Sequence, residues 1–256
     1  MFKPFRIRDL QKWFGNRGLS SMCEYGRDHS SYPYYIAFMD SDDVEELRRC
    51  HTGSVLTARQ AKRINRECGF QKSHKKNLWY CPICVREDIA IRGETCWRRL
   101  PQMPGTMYCP VHKEKYRESG VSFQQINYQI MPATYALMHY PEHEQENGTV
   151  YREQYIGLSR NIAWLLDNGF MVGYSRWIAE GYLLITGKSV NEHLLYGIPH
   201  AHSARGQFED YLSARIMKDM GKDVIDESVN RQISTIIAVM KVFGSVEKLS
   251  LLLYNQ

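Results

Sequence analysis

Two cysteine hooks dominate the chemistry available to this 256-residue chain. Cys81-Pro82-Ile83-Cys84 and Cys109-Pro110-Val111-His112 each carry two soft donors with two residues between them, and 24 residues separate Cys84 from Cys109. In such a hook the chain turns tightly, so that both donors point at one ion while backbone N–H groups face the thiolates. Proline after the first ligand presets a backbone dihedral and removes a competing donor. Three thiolates and an imidazole disfavour calcium and magnesium and suit zinc. Four protein ligands fill a tetrahedron and leave no position for water or substrate, so Cys81, Cys84, Cys109 and His112 are expected to hold one structural Zn2+. The competing reading is a set of reduced cysteines buried as small apolar residues.

Other constellations fail on their own chemistry. His139-Tyr140-Pro141-Glu142-His143 has the H-x-x-E-H order of an inverted zinc-protease motif, but Pro141 breaks the continuous helix that motif needs. His200-Ala201-His202 follows Pro199 and lacks a nearby carboxylate. There is no phosphate-binding glycine loop and no G-x-S-x-G elbow. The acids between Asp40 and Glu46 read as a helix start. No catalytic set emerges, and the chain is expected not to be an enzyme.

Charge is distributed unevenly. Residues 1–120 hold 22 Lys/Arg against 14 Asp/Glu, net +8, whereas residues 121–256 hold 11 against 14, net −3. The half with the hooks is therefore the half suited to a polyanion. Arg59, Lys62, Arg63, Arg66, Lys72, Lys75 and Lys76 lead into the first hook with only Glu67 among them, and with Arg98 and Arg99 they are candidate DNA phosphate contacts. A solvated helix face is the competing reading of that run. The start, Met1-Phe2-Lys3-Pro4-Phe5-Arg6, has no apolar run, and the stretch near Ile233 to Phe243 is too short to span a bilayer, so a cytoplasmic protein is expected. In that reducing compartment seven cysteines argue for metal ligation and free thiols over disulfides, with Cys23, Cys50, Cys68 and Cys96 left unassigned.

Positioning these residues falls mainly to helices. Asp9–Phe14 reads as a short amphipathic helix, the aromatic run Tyr32–Phe38 as irregular core, and Val44–Arg49 as a helix capped by the preceding acids. Thr57-Ala58-Arg59-Gln60 has the form of a capping box for a helix to about Glu67. Between the hooks, Gly93–Arg99 and Met107–Cys109 are expected to be short strands of a zinc ribbon, with Trp97 packed behind the metal. A helical pattern starts near Ala133. Helices are expected over 151–166, 175–184, 190–196, 208–220 and 228–242, with a last one opening at Ser245-Val246-Glu247. The fold class is thus mainly α, helical N- and C-terminal parts flanking a small Cys3His zinc ribbon. The expected divisions are 1–77, 78–120 and 121–256.

Tyr80-Cys81-Pro82-Ile83-Cys84, Asp88, Gly93-Glu94, Trp97-Arg98-Arg99, Gln102, Pro104-Gly105 and Cys109-Pro110-Val111-His112, in that order, resemble the TniQ/TnsD family of transposon target-selection proteins. Members of that family show a C-P-x-C hook, a G-E-x-x-W-R-x-x-x-Q segment and a C-P-x-H hook at similar intervals. Trp13–Arg17 resembles an early helix end of the family, and Val239–Glu247 a late helix pair. Cys96 stands where an aromatic is usual, Leu100 and Pro101 where a basic residue and a histidine are, and Lys113 where a glycine is; none is a ligand. Relative to the family's extra N-terminal helical segment and longer C-terminal extensions, the resemblance implies a short or truncated member.

The resemblance implies a non-enzymatic adaptor in DNA transposition and recombination, nucleoid-associated in a bacterial cytoplasm. Such an adaptor marks an insertion site on DNA and recruits an AAA+ ATPase transposition regulator. In CRISPR-associated relatives it docks on the guide-RNA effector complex, and a homodimer is among the implied assemblies. A zinc-ribbon transcription regulator without a transposon role, a nuclease whose acids converge only in the fold, and a protein-binding scaffold remain alternatives at the level of sequence.

Overall fold

A computed structural model describes residues 30–39, 44–45, 75–122, 132–139, 151–169, 171 and 231–254. The chain divides into two compact units, residues 73–163 and residues 1–72 with 164–256. The helices expected over 9–14, 57–67, 175–184, 190–196 and 208–220 lie outside the described residues, as do Arg59, Lys62, Arg63, Arg66 and Lys72. The described part is helix-rich with one two-stranded sheet. No helix among the described residues is long and apolar enough to cross a membrane.

In the unit formed by residues 1–72 and 164–256, the aromatic run is helical rather than irregular. Helix α1 (Tyr32–Ile36) begins with Pro33 in its first turn, where a missing N–H costs nothing. Ser30 Oγ accepts the Tyr32 N–H at 3.0 Å. Tyr34, Tyr35 and Ile36 are buried, and the two tyrosine rings meet edge to face at 4.9 Å. These rings are core, as expected.

Residues 73–163 hold the hooks. Strand β1 (Asn77–Tyr80) runs directly into helix α2 (Pro82–Arg92); a 3-10 turn (Leu100–Gln102) and strand β2 (Arg117–Ser122) follow, then helix α3 (Ala133–His139). The strands pair antiparallel, Trp79 opposite Glu118 and Tyr80 opposite Arg117. Because successive strand side chains point to opposite faces, Leu78 joins Val121 and Ala136 while Trp79 packs on the cysteine cluster.

Two expectations for the linker between the hooks are corrected. Gly93–Arg99 is not a strand, because α2 extends to Arg92 and Gly93, at φ +77°, closes it in the left-handed conformation with its N–H on Ile89 O at 2.9 Å. Met107–Cys109 makes only an isolated bridge, Tyr108 to Lys115. Trp97 accordingly packs against the Leu78, Val121 and Ala136 cluster; the tryptophan against the cysteines is Trp79.

Helix α4 (Arg152–Asn168) buries Tyr155, Leu158, Ile162, Leu165 and Leu166 at the expected helical spacing. Helix α5 (Arg231–Phe243) buries Ile233, Ile236, Ile237 and Val239 and packs on helix α6 (Val246–Tyr254). Gly244, at φ +84°, separates them, and Ser245 Oγ caps α6 by accepting the Lys248 N–H at 3.1 Å.

Candidate metal centre

The first hook is a strand-to-helix junction. Cys81, extended at φ −94° and ψ 121°, is the N-cap of α2; Pro82 occupies the first helical position, and Cys84 completes the opening turn. The Val85 N–H returns to Cys81 O at 3.1 Å, and the Cys84 amide donates to the Cys81 sulfur. The second hook is the tip of a tight hairpin. Cys109 N–H bonds Glu114 O at 2.8 Å, and Lys113 N–H bonds Cys109 O at 2.8 Å. Tyr116 N–H bonds Met107 O at 2.9 Å. Lys113 takes φ 56°, the conformation that a glycine adopts without steric cost. The His112 and Val111 amides donate to the Cys109 sulfur. Arg152 Nη2 donates to Lys113 O at 2.6 Å, holding the tip from the start of α4.

Together the hooks bring Cys81, Cys84, Cys109 and His112 to one point, all four donor atoms within 4.8 Å of one another, so that they could hold a metal ion. His112 Nδ1 lies 3.5, 3.3 and 3.6 Å from the sulfurs of Cys81, Cys84 and Cys109, and the Cys84 and Cys109 sulfurs are 3.9 Å apart. A tetrahedral ion with metal–sulfur bonds of about 2.3 Å and a metal–nitrogen bond of about 2.0–2.1 Å requires edges of about 3.8 Å between sulfurs and about 3.6 Å from sulfur to nitrogen. The three sulfur–nitrogen separations and the Cys84–Cys109 separation are close to those edges. The three cysteines are buried, and Tyr116, Trp79 and Ile83 pack around them. Cys96 is exposed and stands outside the ligand group.

Electrostatics points the same way. The Cys84 thiol is pushed strongly up by the Cys109 and Cys81 sulfurs it meets and by burial; Cys81 is pushed up, chiefly by its contact with Cys109. Cys109 is pushed down because the Cys81 and Cys84 thiols donate to it. Three thiolates this close need a cation among them to carry their charge together.

The linker is held by residues whose roles sequence reasoning did not resolve. Asp88, buried in α2, receives Arg98 at both oxygens, Nη2 to Oδ1 at 2.6 Å and Nε to Oδ2 at 3.3 Å, together with Thr95 Oγ1 at 3.0 Å and the Arg92 guanidinium. Burial pushes the Asp88 carboxyl up, but hydrogen bonds from Arg98 and Thr95 and the charges of Arg98 and Arg92 outweigh it and leave it below the usual range. Gln102 acts as a one-residue strand on the free edge of β1: its Oε1 accepts the Trp79 N–H at 2.9 Å and its Nε2 donates to Trp79 O at 2.7 Å. The signal for both was visible in the sequence as Asp88 and Gln102 within the recurring segment, without the geometry that explains them.

Of the expected phosphate contacts, four are described. Lys75 turns inward instead: its Nζ donates to Pro101 O and Thr106 O, each at 2.6 Å, and to Thr106 Oγ1 at 3.2 Å, and lies 4.7 Å from the Trp79 ring centroid. Three ammonium donors meet three acceptors, so the tip that was expected to face DNA is occupied. Burial pushes its pKa down to about 7 against the opposing charge of Glu118. Arg98 is committed to Asp88 with its side chain 47% exposed, Arg99 is half-buried beside the 3-10 turn, and Lys76 is exposed.

No curated protein matches the chain. The TniQ family model matches residues 24–115, a span that contains the whole ligand set together with Asp88, Trp97, Arg98 and Gln102, so this part of the chain is similar to the TniQ family.

Proposed function

We propose that the chain is a target-site selection adaptor in DNA transposition, built around a structural zinc and without catalytic activity of its own. The observation that carries this reading is the coincidence of the TniQ match over residues 24–115 with a closed Cys3His donor set inside that span. Zinc is the ion whose bond lengths and ligand preferences fit three sulfurs and one nitrogen at these separations. With four protein donors the ion has no open position, so its work is to join the two hooks and shape the surface around them. In this reading the adaptor engages target DNA or a guide-RNA effector complex and recruits an AAA+ transposition regulator. The 1–77 segment leads basic residues to the module, the module spans 78–120, and the acidic 121–256 segment supplies protein contacts.

The test is co-purification of the zinc-loaded full chain with an AAA+ transposition regulator, before and after chelation. Recruitment that is lost on chelation and restored by Zn2+ is expected; recruitment by metal-free chain, or none by the loaded chain, overturns the reading. DNA contact is tested separately by the salt dependence of duplex binding. Neutralising Arg59, Lys62, Arg63, Arg66, Lys72 and Lys76 is expected to flatten the slope by up to about 0.9 for each phosphate that the variant no longer neutralises. An unchanged slope removes those residues from the interface.

A further inference from the structure

Glu87 lies one helical turn beyond Cys84 on α2, so the two share a helix face. Its carboxylate stands 3.1 Å from His112 Nε2, while the other ring nitrogen, Nδ1, faces the three sulfurs at 3.3–3.6 Å. The two nitrogens of this imidazole thus have different partners. A neutral imidazole carries one N–H, and a nitrogen that binds a metal must be bare. If Nδ1 is the ligand, the proton belongs on Nε2, where the Glu87 carboxylate accepts it.

Resting on the zinc reading above, we propose that Glu87 is a positioning residue of the metal centre: it holds His112 in the tautomer whose Nδ1 binds the ion and tethers the second hook to the helix that carries the first. The alternative is an incidental surface ion pair. Against it stands the asymmetry of exposure, since the Glu87 side chain is 54% exposed but that of His112 only 14%. The neighbouring acid has separate work: Asp88 turns to Arg98 and Thr95. One turn of α2 therefore contributes a ligand at Cys84, a carboxylate for the ligand of the other hook at Glu87, and the anchor of the linker at Asp88.

Loss of a carboxylate behind a metal-bound histidine weakens metal affinity by about 10–100-fold, and the solvent exposure of Glu87 places the expected effect near the lower end. The experiment measures zinc affinity of the full chain by competition with a chromophoric chelator, for wild type, Glu87→Leu, Glu87→Gln and the charge control Glu153→Gln, an exposed position on α4. Glu87→Leu is expected to bind about tenfold more weakly. Glu87→Gln, which keeps an acceptor oxygen but loses the charge, falls between it and wild type, and Glu153→Gln matches wild type. The Co2+-loaded proteins add a spectroscopic readout, the visible d–d envelope shifting in Glu87→Leu and not in Glu153→Gln. Should Glu87→Leu fail to fold, the isosteric Glu87→Gln decides, with a loss of at least about threefold expected. Affinities of the Glu87 variants within twofold of wild type overturn this inference and leave the zinc reading intact, whereas a wild-type chain that takes up no zinc overturns both.

Discussion

Replacing Asp88 by Asn removes one negative charge and hardly any volume, so its cost isolates the ionic part of the linker anchor. Asp88 is 4% exposed, and Arg98 grips it through two nitrogens while Thr95 and Arg92 complete its hydrogen bonds. Asparagine keeps one acceptor oxygen but turns an NH2 group toward donors at the other. Breaking a fully buried pair costs about 3–5 kcal/mol, because the abandoned partner stays unsolvated. Here the partners are not abandoned: the Arg98 and Arg92 side chains are 47% and 55% exposed, and water can take over part of their hydration. The expected destabilisation is therefore about 2–3 kcal/mol, the scale of one or two charged hydrogen bonds.

The assay is urea unfolding of the zinc-saturated full chain near neutral pH, followed by the fluorescence of the tryptophans, two of which, Trp79 and Trp97, pack in this unit. Wild type, Asp88→Asn, Arg98→Met and the double variant complete a cycle, with a coupling of about 1.5–2 kcal/mol expected. The folded-state carboxyl lies below its ordinary value, so its contribution is complete above the unfolded carboxylate pKa of about 3.9 and disappears as pH falls through the folded value. Neutral pH measures the full effect. A loss under about 0.5 kcal/mol, or no coupling to Arg98, would refute the assignment of Asp88 as the anchor of the linker.

Two further outcomes follow from the same unit. Lys75, pushed down to about 7 by burial, keeps its proton in the unfolded chain up to its ordinary 10.5. Between those values the unfolded state binds more protons, so stability rises with pH by at most about 1.4 kcal/mol per unit. Relative to Lys75→Met, wild type is expected to gain stability from pH 7 toward pH 10, and parallel curves contradict the lowered pKa of the amine. Gly93→Ala is expected to cost about 1 kcal/mol through the left-handed backbone alone, since an added Cβ meets nothing within 4 Å; calorimetry of the zinc-loaded chain reads it as a lowered Tm.

The readings that held rest on local chemistry. Apolar spacing marked α4 and α5, and Ser245-Val246-Glu247 marked the opening of α6, because each depends on residues within one or two turns of one another. The strand expected at Gly93–Arg99 failed for a different reason. Its alternation of polar and apolar residues is compatible with an extended loop, and only the sheet partner distinguishes the two; β1 is paired by β2 on one side and by the Gln102 side chain on the other. Trp97, expected behind the metal, packs on Leu78, Val121 and Ala136, and Trp79 packs on the cysteines, since a tryptophan's environment depends on which face its backbone offers.

By itself the sequence determined the identity of the four donors, their grouping in two hooks and the resemblance to a family, because ligand type and spacing are properties of a linear chain. Tertiary structure decided which nitrogen of His112 meets the sulfurs, that Glu87 meets the other, that Asp88 binds Arg98 ten residues away, and that Lys75 turns inward to carbonyls 26 and 31 residues distant. A lysine in a basic run looks the same in sequence whether its ammonium faces water or a cage of carbonyls; the difference is desolvation and hydrogen-bond geometry, which exist only once distant backbone atoms are brought around it.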